Sequence, residues 1–111
     1  MSAKELNDLG VAAAQARQLR EAAEFFRQAT VADAGFALAH ENLATSLSEL
    51  GDLPGAARSY EQAAALQPNS VKIQSNLGVV RSKLGDYAGA IAALRRAIEL
   101  DPRFAPAEAA S

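Results

Sequence analysis

Asparagine recurs at Asn42 and Asn76, 34 residues apart. Each carboxamide offers two N–H donors and an acceptor oxygen, the complement of a peptide backbone group. This is chemistry for holding a chain, and no bond-breaking constellation accompanies it. His40 is the one histidine, and a lone imidazole makes no metal site without carboxylate or thiolate partners at ligand spacing. It is expected to pack between helices. There is no cysteine, which excludes disulfides and thiol chemistry. Gly85-Asp86-Tyr87-Ala88-Gly89 contains glycines but lacks the Lys-Ser/Thr of a phosphate loop, and no nucleophile or paired-carboxylate motif appears. The expectation is therefore no cofactor, no metal and no enzymatic activity.

The elements that hold the two asparagines repeat with them. Gly51-Asp52 returns as Gly85-Asp86, Pro68 as Pro102, and Asn42-Leu43 as Asn76-Leu77. Aligned without gaps, residues 37–70 and 71–104 share 11 of 34 residues, at turns, stops and apolar positions. A fixed period of this length marks a helical repeat. In the first of these units Leu43, Leu47 and Leu50 trace one helix, and Gly51 suits the left-handed position after it. Asp52 is placed to cap a second helix, with Pro54 in its first turn. Ala56, Ala57, Tyr60, Ala63, Ala64 and Leu66 form that helix's apolar face, Pro68 stops it, and Asn69 or Ser70 can cap the next helix. In the next unit Ile73, Leu77, Val80 and Leu84 precede the turn, and Ala90, Ile91, Leu94, Ala97, Ile98 and Leu100 come after it.

Residues 3–36 are a looser copy. Leu6, Leu9, Ala13 and Ala16 give one helical stripe, and Ala22, Ala23, Phe25, Phe26 and Ala29 another. Arg17-Gln18-Leu19 stands where the other units carry Gly-Asp, and Gly35 is expected to end the second helix.

The bulk properties narrow the function classes. A chain of 111 residues forms one domain, and half of it is apolar. The net charge of -2 supplies no basic field for nucleic acid. No apolar run approaches a membrane span, and the polar start MSAKELNDLG does not read as a signal peptide. The expected setting is soluble and cytoplasmic, without nucleic-acid or membrane partners.

These residues resemble the tetratricopeptide repeat family. Residues 37–70 fit its pattern with His40, Leu43-Ala44, Gly51, Ala56, Tyr60, Ala63 and Pro68. Residues 71–104 fit with Leu77-Gly78, Gly85, Tyr87, Ala90, Ala97 and Pro102, Leu94 standing at the aromatic position. Residues 3–36 fit with Leu6, Leu9-Gly10, Ala22, Phe26 and Ala29, but lack the turn glycine and carry Ala34 for the proline. The resemblance implies an all-α, right-handed α-solenoid of three antiparallel helix pairs. It implies a single domain over 1–104, with repeats 3–36, 37–70 and 71–104. Residues 105–111 form a short tail, or open a truncated fourth repeat, since Phe104-Ala105-Pro106-Ala107-Glu108 reads like the start of a unit.

In the family the first helix of each pair lines a concave groove. Carried over by position, the lining is Lys4, Asn7, Asp8, Val11 and Gln15, then Leu38, Glu41, Asn42, Thr45 and Glu49, then Lys72, Ser75, Asn76, Val79 and Lys83. The peptide-binding candidates are Asn7, Asp8, Asn42, Thr45, Glu49, Lys72, Asn76, Val79 and Lys83. Asn42 and Asn76 resemble two rungs of the asparagine ladder in the repeats of O-linked N-acetylglucosamine transferase, with Asp8 at the third place. A weaker resemblance, to chaperone-binding repeats that clamp a C-terminal carboxylate, rests on Asn42 and Lys72. Asn7, Val11 and Asn76 occupy that clamp's other places, so only one cation remains and a strong clamp is not implied.

The leading expectation is an adaptor or scaffold that binds a protein or peptide segment in this groove. The alternative is the substrate-recruiting arm of a larger enzyme such as a glycosyltransferase. Two further expectations concern packing. Arg81 stands at a usually apolar place, so its stem should pack while its head reaches water. Ile91, Leu94, Ile98 and Leu100 should be partly exposed on an uncapped last helix, a surface for self-association.

Overall fold

The computed structural model describes residues 1–104. Six α-helices, α1 (Ala3–Gln15), α2 (Leu19–Ala32), α3 (Ala37–Glu49), α4 (Leu53–Leu66), α5 (Val71–Lys83) and α6 (Tyr87–Leu100), are followed by the 3-10 turn Pro102–Phe104. Among the described residues there is no strand. Each helix packs on the one before it. The molecule measures 50 × 24 × 21 Å, the elongated form that stacking in one direction demands.

The helices begin and end where local chemistry requires. Asp52 and Asp86 each accept the N–H three residues on, at Gly55 and Gly89, both at 3.0 Å. Ser70 accepts from Ile73 N–H at 3.2 Å, so it, and not Asn69, caps α5. Ser2 and Glu5 form a reciprocal capping box on α1. The three turns within pairs share one hydrogen-bond scheme. Gln18, Asp52 and Asp86 donate to the carbonyls of Ala13, Leu47 and Arg81, and Arg17, Gly51 and Gly85 donate to those of Ala14, Ser48 and Ser82. This is the Schellman pattern, which needs a left-handed residue. Gly51 and Gly85 supply it with φ of 90° and 83°. Arg17 supplies it in the first pair with φ of 61°. The missing glycine therefore leaves the turn geometry unchanged and places the steric cost on an arginine.

Gly35 does not terminate α2. The helix stops at Ala32, where Asp33 turns to extended backbone, and the Asp33 carboxylate accepts the Gly35 N–H at 3.0 Å. An Asx turn does the work expected of the glycine.

The core is built from small residues and a few large ones. Ala22, Ala29, Ala39, Ala44, Ala56 and Ala63 are fully buried, and Ile73 is the largest side chain with no exposure. Tyr60, Leu77 and Val80 join Ala44, Ala56 and Ala93 in one cluster that links α3 through α6. Phe26, Leu43, Ala13 and Ala22 join α1, α2 and α3. No pair closes its core alone, and each lends residues to the next.

Candidate peptide-binding groove

The candidate residues sit on the first helices α1, α3 and α5, and two hollows lie between α1 and α3. One hollow of about 240 Å³ is lined by Val11, Gln15, Arg17, Asn42, Thr45 and Glu49, among others. Another of about 380 Å³ is lined by Lys4, Asn7, Asp8, Phe36 and Leu38. The structure thus brings Asn7, Asp8, Asn42, Thr45 and Glu49 together. Asn76, Val79 and Lys83 lie on α5 outside these hollows, and Lys72 reaches α3 through its charge.

Most of the polar candidates are already engaged. Asn42 is half-buried and its Nδ2 donates to Asn7 Oδ1 at 3.2 Å. Asn7 is itself buried, at 4% exposure, so it serves as a fixed acceptor that orients the Asn42 amide. One N–H and the carbonyl oxygen of Asn42 stay available. Asn76 is half-buried and, among the described residues, makes no side-chain hydrogen bond. Asp8 takes the Lys4 ammonium at 2.9 Å, and Glu49 takes the Arg17 guanidinium at 2.9 Å. Lys72 Nζ lies 3.0 Å from Glu41 Oε1, an ion contact off the line of an aligned hydrogen bond. Lys83 has no ion-pair partner among the described residues, and Val79 is exposed.

Thr45 performs a different task from its neighbours. Its hydroxyl bonds the Glu41 carbonyl at 3.1 Å and the Tyr60 hydroxyl at 2.9 Å. This anchors α4 to the groove wall and satisfies a phenol that is otherwise buried. Burial holds the Tyr60 phenol above its ordinary pKa, the Thr45 hydrogen bond pulling the other way and Glu41 adding to the rise.

His40 is buried, and Nε2 lies 2.9 Å from the Ala34 carbonyl, so that nitrogen carries the proton and ties α3 to the preceding turn. Among the described residues no cluster of three or more His, Asp or Glu could hold a metal ion. Arg81 buries its stem as its place requires, and its head donates to Glu61 Oε2 at 3.1 Å and the Gly89 carbonyl at 3.3 Å. The head stays at the surface, as expected, and is paired there with Glu61, which the stacking of α4 brings alongside.

The sequence reading missed the burial of Asn7. Its place one turn before Gly10, on the Leu6–Gly10–Ala13 stripe, was the signal that pointed to it. It also missed a cavity of about 500 Å³, which lies on the other side of α3, between α2 and α4.

The tetratricopeptide repeat profile matches residues 41–103, more than half of the chain. The chain belongs to the tetratricopeptide repeat family. Solved structures agree on the fold. The Sgt2 tetratricopeptide domain from Aspergillus fumigatus superposes with a TM-score of 0.83 at 27% identity, over 95% of this chain and 70% of that one. MamA gives 0.87 at 20% identity, over 92% and 60%. The first tetratricopeptide domain of Spaghetti (RPAP3), solved with the HSP90 peptide SRMEEVD, gives 0.86 at 24% identity, over 91% and 80%. The chain therefore spans less than two thirds of the length of MamA. A search of curated protein sequences finds no significant match. No described helix of this tetratricopeptide repeat protein is long and apolar enough to cross a membrane.

Proposed function

We propose that this tetratricopeptide repeat protein is a non-catalytic adaptor that holds a protein or peptide segment in the groove of its first helices. The family and the fold support a protein-interaction scaffold. The carrying observation for the groove is the oriented Asn42 amide. It is pinned by a buried Asn7, keeps a free donor and acceptor, and stands beside open hollows. Asn76 adds a second free amide one repeat on, and Val79 and Lys83 extend the lining along α5. Because Asp8, Glu49 and Lys72 are neutralised by protein partners, the groove favours a backbone-reading mode over a strongly charged ligand. The Spaghetti domain holds an HSP90 peptide, and YrrB is described as having an unusual peptide-binding site, which supports peptide recognition on this fold.

The test is a peptide selected from a display library against the protein, measured by calorimetry. Asn42→Ala with Asn76→Ala should weaken it about tenfold or more, since each lost hydrogen bond contributes about 1 kcal/mol. Arg95→Ala, on the outer face of α6, should leave it unchanged. An unaltered Kd in the double variant sinks the ladder.

The exposed strip on α6 favours a second reading. Ile91 is 52% and Leu94 38% exposed, and Ile98 and Leu100 are half-buried. This is the face on which another helix pair would stack, from a second copy or from a longer protein in which the repeats recruit substrate for an enzyme such as a glycosyltransferase. Sedimentation should show concentration-dependent dimers that Ile91→Lys abolishes. A monomer at all concentrations removes the self-association arm. The expected start of a fourth unit, in residues 105–111, lies outside the described residues.

A further inference from the structure

The cavity of about 500 Å³ lies between α2 and α4, with α3 as its floor. Neither it nor its residues belong to the first-helix groove. Leu43, Leu47 and Leu50 form the floor, and Arg20, Arg27 and Arg58 stand on the walls. Leu50 is 39% exposed, so the floor is open to a ligand. Two carboxylates are also present; both are engaged, but the Asp52 cap keeps its negative charge, so the three guanidiniums of the lining exceed its carboxylates by one. Glu24 binds Arg27 and Gln28, and Asp52 caps α4 through the Gly55 N–H. Among the described residues Arg20 and Arg58 have no ion-pair partner, and they come from opposite walls. Two guanidiniums without an ion-pair partner thus flank an apolar floor.

The equivalent cleft between α4 and α6 shows what an occupied version looks like. One repeat on, Leu47 becomes Arg81, Arg27 becomes Glu61 and Gly55 becomes Gly89. There the Arg81 side chain lies in the cleft and binds both Glu61 and the Gly89 carbonyl. The second cleft is filled by its own chain with a guanidinium against a carboxylate. In the first cleft the central side chain is a shorter leucine, and the wall residue opposite is an arginine. The charge left unmet has the sign that an acidic ligand supplies.

We propose that the α2–α4 cleft is a second docking site, for an acidic peptide segment carrying an apolar anchor between its carboxylates. The anchor packs on Leu43, Leu47 and Leu50, and carboxylates on either side accept from Arg20 and Arg58, the fork geometry that arginine offers to carboxylate. Engaged Glu24 and Asp52 on the same walls disfavour a dense phosphate, whose charge would face them, and favour separated single carboxylates.

The probe is a fluorescent capped dodecapeptide with one central leucine flanked by glutamates, compared with the same peptide carrying glutamines. The glutamate peptide should bind the protein, with the glutamine peptide at least tenfold weaker. Arg20→Glu with Arg58→Glu, both at solvent-accessible positions, should lose at least tenfold while the far-UV circular dichroism is unchanged. Asn42→Ala with Asn76→Ala should bind the probe as the parent does, which separates this site from the groove. If the charge-reversed pair misfolds, Arg58→Gln alone should still weaken binding, and amide shifts on titration should centre on Ala23, Leu47 and Ser59. Equal binding of the two peptides, no binding of either, undiminished binding by the arginine variants, or tighter binding of an oligothymidine than of the glutamate peptide would each overturn the proposal.

Discussion

The first and the last helix pairs place a glycine at the same point, Gly10 on α1 and Gly78 on α5, and press a different residue against it. A Cβ on Gly10 would come within 2.5 Å of the Phe26 ring, and one on Gly78 within 2.7 Å of Leu94. Phe26 is buried at 2% exposure, whereas Leu94 is 38% exposed at the open end of the stack. The middle pair has Ala44 and Tyr60 at these places, so a methyl fits this plan once the helices are spaced for it. The lesson is that one close approach is rigid where neighbours enclose it and soft where the solenoid ends.

The largest effect should come from breaking that contrast. Gly10→Ala should lower stability by about 2–3 kcal/mol, because the ring has nowhere to go. Gly78→Ala should cost less than about 1 kcal/mol, since Leu94 swings outward and alanine gains helix propensity. Urea titration of the two variants checks it, and equal losses would erase the distinction between enclosed and open ends.

A smaller effect belongs to the turns. Gly85→Ala forces a Cβ into the left-handed region and should cost about 1 kcal/mol. Arg17→Gly relieves the same strain and should gain up to about 1 kcal/mol, reduced by loss of the exposed Arg17–Glu49 pair. Opposite shifts in Tm are the expected outcome. A destabilised Arg17→Gly would show that the ion pair, and not the Schellman bonds, holds the first turn.

The smallest effect concerns the reciprocal cap on α1, where a carboxylate takes part. The Ser2 backbone N–H, and then its hydroxyl, hold the Glu5 carboxyl below its ordinary value. A depressed folded pKa means the contribution is complete above the ordinary carboxylate pKa and disappears as pH falls through Glu5's own lower value. Amide protection factors in the first turn of α1, corrected for the fall in intrinsic exchange rate, should therefore decline on acidification through that window, and Glu5→Gln should remove the dependence.

Much of this fold is legible in the amino-acid sequence. The 34-residue punctuation locates the turns at Gly51-Asp52 and Gly85-Asp86, and the apolar stripes mark the faces that pack. These are local properties. A left-handed glycine, an aspartate cap and a proline stop act within a few residues, so their spacing in the chain is their spacing in space. Gly35 shows the limit, because a neighbouring Asp33 side chain satisfied the backbone first.

The candidate site was less legible. The first-helix positions of Asn42 and Asn76 followed from the repeat, but the partners of each side chain did not. Asn7 holds Asn42 across 35 residues, Arg17 holds Glu49 across 32, and Arg81 meets Glu61 across 20. Whether a polar group is free or occupied depends on which neighbour the stacking sets opposite it. Repeat period alone determined the helices, their turns and their order. Only the tertiary structure decided that Arg81 turns into the cleft between α4 and α6 and is held there by Glu61 and the Gly89 carbonyl, because a guanidinium stays in a cleft only where packing brings an acceptor within hydrogen-bond reach.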